Sequence, residues 1–247
     1  MNWDEYARWG KEISDWGADY HKTLRDRPVR AQVAPGDIAA LLSLSPPEQG
    51  EDMAVIMEDF ERVVMPGITH WQHPRFFAYF PSNASPPAIL ADFLTSTMAV
   101  NSLLWQTSPA ATEMETRMME WLRQAVGLSD GFAGVIQDSA SSATLAAVLT
   151  MRERSLNWQG NTKGLSSMPP LRLYCSGEVH SSIDRAVWVA GLGDSNIVRL
   201  PIEGPLRGLR AAAMRTAIIS DIAAGYKPAG IIASTGATGA GSCDSIR

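Results

Sequence analysis

The second half of the chain alternates short apolar runs with stretches of helical periodicity. Four of the runs predict strands, at residues 134–137, 171–175, 196–200 and 229–234. The stretches between and after them predict helices over residues 143–156, 181–192 and 209–224. This order is typical of βα units on a largely parallel sheet, whose ligands bind beyond the carboxyl ends of the strands. We therefore expect the turns at 138–142, 176–180 and 235–241 to lie along one edge of the sheet.

The N-terminal third contains helical patterns separated by a connector rich in proline and glycine. Aromatic residues at three- and four-residue steps predict an amphipathic helix over residues 3–24. Its aromatic stripe can pack on the later part of the chain or on a second subunit, and the N-terminal position favours the second subunit. Residues 27–50 predict an extended connector with at most a short helix at 37–42, and a further helix is predicted over 52–64.

Aromatic and imidazole rings crowd residues 70–83, where prolines exclude a regular helix or a central strand. The stretch therefore predicts a loop. Rings on irregular backbone can hold a flat apolar ligand or simply pack against one another. His70 and His73 have no acidic or cysteine companion at ligand spacing, which argues against a metal site.

Two more helices are predicted between this loop and the first strand. One covers residues 86–98, and the other begins after Ser108, with Pro109 in its first turn. The apolar residues that recur on one face of the second helix, and that we expect to be buried, are Met114, Met118, Trp121 or Leu122, and Val126.

The turn at 138–142 joins a predicted strand to a predicted helix and is rich in hydroxyl groups. Ser139 or Ser141 can cap the helix. The unpaired N–H groups and the dipole at a helix start favour an anion such as a phosphate. An ordinary capped turn is the alternative interpretation.

His180 follows a predicted strand and precedes a helix start at Ser181 and Ser182. At the ligand edge its ring could stack on a flat ligand or exchange a proton near neutral pH, whereas elsewhere it would be a surface or capping residue. The glycines of the 235–241 turn do not have dinucleotide-binding spacing. The sequence also lacks the phosphate-binding loop of nucleoside triphosphatases and the nucleophile elbow of α/β-hydrolases.

Composition narrows the class of protein. The 247 residues are 45% hydrophobic, which is enough for one large α/β domain with an appendage. The net charge of −5 without like-charged runs argues against nucleic acid and anionic membranes as partners. Cys175 and Cys243 have neither metal-ligand nor disulfide-scaffold spacing, and no stretch approaches a membrane span, so we expect a cytoplasmic protein.

Five segments resemble, in order and at matching separations, motifs of the group II decarboxylases that use pyridoxal 5′-phosphate, and the aromatic-L-amino-acid decarboxylases are the most similar. The segments are residues 65–71, 76–81, 108–115, 134–141 and 180–182. The resemblance implies an α/β protein of the PLP-dependent transferase fold type I. Residues 84–247 would form the first part of the aspartate aminotransferase-like large domain. Residues 1–83 would form a dimerising helical arm with a substrate-side loop.

The resemblance also implies site residues and an activity. It assigns the cofactor pyridoxal 5′-phosphate to Ser139, Ala140, Ser141 and Thr238, and to His180, which would stack on the cofactor ring and act in catalysis. The implied substrate-side residues are Trp71, Tyr79, Phe80, Pro81 and Ser82, with Asn101 and Leu103 from the neighbouring subunit. The implied reaction converts an aromatic L-amino acid to its amine and CO₂ in a homodimer that exchanges N-terminal arms. An acidic or aliphatic amino acid is the alternative substrate.

Two features of the resembled family are missing from the sequence. The chemistry needs a lysine that bonds to the cofactor and a carboxylate at the pyridine nitrogen, and the motifs that carry them would lie beyond residue 247. Ala237 also stands where relatives usually have threonine. We therefore expect part of a longer or cleaved enzyme, inactive alone and paired with a C-terminal fragment, or else a non-catalytic dimerisation fragment.

Overall fold

The computed structural model describes residues 1–80 and 83–245. Its contacts divide the chain into two compact units, Met1–Asp92 and Phe93–Arg247. Pro81 and Ser82, both predicted to lie on the substrate side, fall outside the described residues.

The first unit begins with α1 (Trp3–Thr23), as the aromatic periodicity predicts. The Asn2 side chain accepts hydrogen bonds from the N–H groups of Asp4 and Glu5, and the Glu5 carboxylate accepts one from the Asn2 N–H. This reciprocal cap fixes the helix start.

Part of the aromatic stripe of α1 packs on its own chain. Trp16 stacks on Tyr20 with ring centroids 5.4 Å apart and meets the edge of Phe60 at 5.3 Å. Trp3 and Ile13, further towards the N-terminus, are exposed. The later part of the stripe therefore packs within the first unit, and packing of its earlier part on a second subunit stays a prediction.

The rest of the first unit consists of short helical pieces. These are α2 (Asp37–Leu41), α3 (Met53–Asp59), a π-helical turn (Phe60–Val64) and a 3₁₀ turn (Met65–Gly67), and they are followed by α4 (Pro86–Met98). The helix predicted over 52–64 is thus continuous, but its last five residues are wound more widely.

The second unit contains a three-stranded parallel sheet of β1 (Leu171–Ser176), β2 (Ile197–Leu200) and β5 (Lys227–Ile232), in the order β2-β1-β5. Cys175 on the central strand is paired with Arg199 of β2 and Ile232 of β5. A small antiparallel hairpin, β3 (Ile202–Glu203) and β4 (Gly208–Leu209), follows β2 and was not predicted.

Among the described residues, the second unit contains further helices, of which α6 and α8 pack on one face of the sheet and α9 packs on the other. Their bounds are α5 (Pro109–Ala125), α6 (Ala140–Ser155), α7 (Gly160–Lys163), α8 (Ser182–Val189) and α9 (Ala211–Ala223). Successive side chains of β1 point to opposite faces. Leu173 and Cys175 pack with Val148 of α6 and Val187 of α8, whereas Tyr174 packs with Met214 of α9.

Helix α6 lies very close to β5. A Cβ at Gly230 would overlap the sulfur of Met151, so a larger residue there would force the Met151 side chain to move. The resulting α/β/α layering agrees with the predicted fold class.

Two predictions for this unit are wrong. Residues 134–137 are not a strand, because no described backbone runs beside them, and the Ile136 N–H instead donates to the Glu115 carboxylate at 2.8 Å. The predicted buried face of α5 is exposed, with Met114 at 68%, because no described element covers it. The other residues of that face, all exposed as well, are Met118, Trp121, Leu122 and Val126. No helix in the described ranges combines the length and the apolar character needed to cross a membrane.

Candidate active site

The orientation of α6 decides which edge of the sheet its first turn reaches. Near its C-terminus, the Ser155 hydroxyl donates to the Ala229 carbonyl of β5 at 3.3 Å, and the Arg152 guanidinium donates to the Ala190 carbonyl at the end of α8 at 2.8 Å. A helix of 16 residues is about 24 Å long, so it spans the depth of the sheet. Its N-terminus therefore lies at the carboxyl edge, as does that of α8.

Ser139 caps α6. Its Oγ accepts a hydrogen bond from the Ser142 N–H at 3.2 Å, and its carbonyl accepts one from the Ala143 N–H at 3.0 Å. Of the two caps that the sequence allows, the structure therefore uses Ser139 rather than Ser141. The N–H groups of Ala140 and Ser141 have no acceptor within residues 1–80 and 83–245, and they are available to an anion.

His180 lies at the same edge, four residues beyond the end of β1. Its Nδ1 accepts a hydrogen bond from the Ser182 N–H at 3.2 Å, so the neutral ring carries its proton on Nε2. The residue is exposed, and its carbonyl accepts from the Ile183 N–H at 3.0 Å. The imidazole thus helps to begin α8 and still presents the Nε2–H outward.

The turn after β5 closes on itself. The N–H groups of Gly236 and Ala237 both donate to the Ser242 carbonyl at 2.9 Å, and Thr235 pairs with Cys243. Thr238 is partly exposed within this turn, whereas Ala237 is buried. The predicted positions near 140, 180 and 238 therefore share the carboxyl edge of the sheet.

A buried hydroxyl in this turn lacks a partner. Ser242 is 2% exposed, and its Oγ makes no hydrogen bond within the described part of the chain. Burying an unsatisfied hydroxyl costs free energy. The turn therefore has a polar group left for an atom outside these residues.

Asp244 organises the edge and was missed by the sequence analysis. Its buried carboxylate accepts hydrogen bonds from the Leu209 N–H of β4 and from the Ser234 N–H beyond β5, both at 2.8 Å. The only signal in the sequence is that Asp244 is the one charged residue between Lys227 and Arg247.

The buried thiol of Cys175 lies near the end of β1. Burial raises its pKa to about 11, so the thiol stays protonated near neutral pH. It is a packing residue rather than a nucleophile.

The predicted aromatic loop lies in the first unit. Trp71 contacts Phe76 with ring centroids 4.9 Å apart and stacks on Tyr79 at 5.7 Å. Phe77, Tyr79 and Phe80 are nevertheless exposed. The loop is thus partly packed on itself and still presents aromatic surface.

The two histidines of this loop support the backbone. His70 Nδ1 lies 2.8 Å from the Tyr20 hydroxyl, and burial, followed by the charges of Arg27 and His73, lowers its pKa. His73 Nδ1 accepts from the Arg75 N–H at 3.0 Å. The described residues contain no group of three or more histidine, cysteine, aspartate or glutamate side chains placed to hold a metal ion.

Asn101 and Leu103 lie in an exposed turn of the second unit. The Asn101 side-chain oxygen accepts from the Leu103 N–H at 3.1 Å, which orders the turn locally. Their predicted place in a neighbouring subunit's pocket stays a prediction.

Comparison with known proteins adds an independent observation. The pyridoxal-dependent decarboxylase conserved domain matches residues 35–247. Aromatic-L-amino-acid decarboxylase of Rattus norvegicus is 39% identical over 100% of this chain and 53% of that protein. Histidine decarboxylase of Drosophila melanogaster is 37% identical over 100% of this chain and 30% of that protein.

A solved structure agrees in fold. The crystal structure of Oryza sativa TDC with PLP and tryptamine has a TM-score of 0.91 and 32% identity, over 99% of this chain and 51% of that one. The chain thus spans about half the length of the aromatic-amino-acid relatives that it matches. The likeness confirms the predicted fold type I architecture, present here in part. The chain belongs to the pyridoxal-dependent decarboxylase family, whose cofactor is pyridoxal phosphate.

Proposed function

We propose that this chain is part of an enzyme that removes the carboxylate of an aromatic L-amino acid as CO₂ and releases the amine. The observation that carries the proposal is the shared position of an anion-binding helix start and an exposed imidazole at one edge of the sheet. The 39% identity to an aromatic-L-amino-acid decarboxylase supports the aromatic substrate class.

The residues at this edge fit pyridoxal phosphate. The free N–H groups of Ala140 and Ser141 suit its phosphate, with Ser139 holding the helix start in place. Thr238 would complete the cofactor side of the edge. When bound, the cofactor supplies a sink for the electron pair that remains as CO₂ leaves.

His180 would act as the catalytic residue among those described. The hydrogen bond from Ser182 fixes the tautomer, so the Nε2–H is the group that faces outward. The imidazole would lie flat on the cofactor ring and donate to the substrate carboxylate, orienting the bond that breaks. The lysine and the pyridine-nitrogen carboxylate would come from residues beyond this chain.

The aromatic surface suits the substrate class. Trp71, Tyr79 and Phe80 would contact the substrate ring, whereas Pro81 and Ser82, also predicted for this role, lie outside the described residues. In a homodimer with exchanged N-terminal arms, Asn101 and Leu103 of the second subunit would complete the pocket. The exposed Trp3 and Ile13 of α1 support such an arm.

The substrate assignment is tested on the full-length protein supplied with pyridoxal phosphate. CO₂ release is measured with tyrosine, DOPA, tryptophan, phenylalanine, histidine and glutamate. We expect turnover of at least one aromatic substrate, and turnover of glutamate alone would overturn the aromatic assignment. The match to a histidine decarboxylase makes histidine the second candidate substrate, and turnover of histidine alone would establish it.

The role of His180 is tested by H180N, with H21N as the matched control because His21 is an exposed histidine on α1. We expect a loss of turnover of about 10²-fold or more in H180N and none in H21N. Cofactor absorbance without turnover of any of these substrates would contradict the decarboxylase assignment.

A further inference from the structure

The β3–β4 hairpin contacts two of the three turns at the carboxyl edge of the sheet. It lies between β2 and α9 in the chain. Leu209 of β4 packs with Tyr174 and Met214 on the face of the sheet that α9 covers. We propose that this hairpin is a positioning element. It holds the His180 turn (residues 176–180) and the Thr238 turn (residues 235–241) in the arrangement that binds the cofactor. The inference rests on the proposed function.

The first link is an ion pair. The Arg207 guanidinium, at the end of the hairpin turn, lies 2.6 Å from the Glu178 carboxylate, two residues before His180. The Glu178 side chain is mostly covered at 21% exposure, and that of Arg207 is 57% exposed. A pair this open contributes little to global stability. Its effect is to fix where the His180 turn lies relative to the hairpin.

The second link joins the hairpin to the turn after β5. The Cys243 N–H donates to the Leu206 carbonyl at 3.1 Å. A Cβ at Gly208 would overlap the Cys243 carbonyl oxygen, so the two backbones touch. The Asp244 carboxylate then bonds β4 to the Ser234 N–H. Both ends of the Thr238 turn are therefore tied to the hairpin.

These links make Arg207, Glu178 and Asp244 positioning residues. None of them needs to touch the cofactor. They act on His180 and Thr238 through one shared element, so a loosened hairpin lets the two turns move apart. The dissociation constant of the cofactor then rises, because binding must itself order the two turns, which costs free energy.

The test uses the full-length protein and the variants R207Q, E178Q and the R207Q/E178Q double variant. The matched control is R117Q, because Arg117 forms a 2.5 Å ion pair with Glu120 within α5, is 64% exposed and lies outside the hairpin and both turns. Apo-protein is titrated with pyridoxal phosphate, the dichroism of the bound cofactor is recorded, and thermal unfolding of the apo-protein is measured in parallel.

We expect R207Q and E178Q each to raise the dissociation constant about three- to fivefold, the range that one open ion pair supplies. The double variant should be no weaker than either single variant. The affinity of R117Q and the unfolding temperatures of all these variants should match the wild type. The two substitutions change net charge in opposite directions, so a common weakening cannot come from simple attraction of the phosphate.

Each other outcome has a definite meaning. If wild-type protein binds no pyridoxal phosphate, the proposed function fails. If it binds, but R207Q and E178Q bind as tightly, the positioning role alone fails. Additive losses in the double variant, or an equal loss in R117Q, also overturn it. D244N gives a second test, with a larger loss of affinity expected, since its buried carboxylate serves two N–H groups.

Discussion

Replacing Ser139 by alanine removes the side-chain cap of α6 and leaves the Ser142 N–H without its acceptor. Loss of such a cap costs about 1 kcal/mol of unfolding free energy. In a domain of this size that lowers the unfolding temperature by roughly 2–4 °C. Because the Ser139 hydroxyl bonds the helix backbone, S139A should weaken cofactor binding less than S141A does.

The neighbouring Ser141 gives the matched comparison. Its hydroxyl accepts no hydrogen bond from the described backbone, so S141A should leave the unfolding temperature of the apo-protein unchanged. If the Ser141 hydroxyl bonds the cofactor phosphate, its loss costs about 1.5–3 kcal/mol of binding free energy. The dissociation constant then rises roughly tenfold to hundredfold.

Both variants are measured in the full-length protein by thermal unfolding without cofactor and by titration with pyridoxal phosphate. The reasoning predicts opposite patterns, with stability lost in S139A and affinity lost in S141A. Equal destabilisation of the two apo-proteins would refute the assignment of the cap. Unchanged affinity in S141A would remove Ser141 from the phosphate site.

Three further predictions concern other parts of the molecule. Burial lowers the pKa of His70, so the folded state loses stability as pH falls below the unfolded pKa of about 6.5. The difference between the unfolding temperatures at pH 7.5 and pH 5.5 should therefore be smaller in H70Q than in the wild type. Cys175, whose pKa is raised to about 11, should resist alkylation at pH 8 while the partly exposed Cys243 reacts, as peptide mass spectrometry would show; equal rates would contradict the burial. G230A should destabilise the protein by about 1–3 kcal/mol in denaturant unfolding, and the same substitution should cost less in an M151A background. An equal cost in both backgrounds would show that the overlap with Met151 is not the cause.

The sequence predicts the parallel sheet because its strands are long enough to show their patterns. The run at 171–175 corresponds to β1 (Leu171–Ser176) within one residue. The β3–β4 hairpin escapes prediction because each strand has two residues, too few for any alternation. Residues 134–137 have a strand-like composition but no neighbouring strand within residues 1–80 and 83–245, and a strand forms only where another backbone supplies hydrogen bonds.

The candidate site was predictable to a different extent. The cap at Ser139 and the place of His180 follow from local order, since each comes directly before a helix. Asp244 was not predictable, because its carboxylate acts on Leu209, 35 residues earlier in the chain. Family and cofactor followed from motif order, and the comparisons confirm both. The substrate did not, since relatives of similar identity bear the names of different amino acids.

The buried carboxylate at position 244 also sets an order of events during synthesis. Chains fold as they emerge from the ribosome, and earlier segments become available first. Helices α6 and α8 can dock on β1 early, but β4 and the segment after β5 have no common acceptor until Asp244 has been made. A chain that ends before that residue would lack the group that joins β4 to the segment after β5.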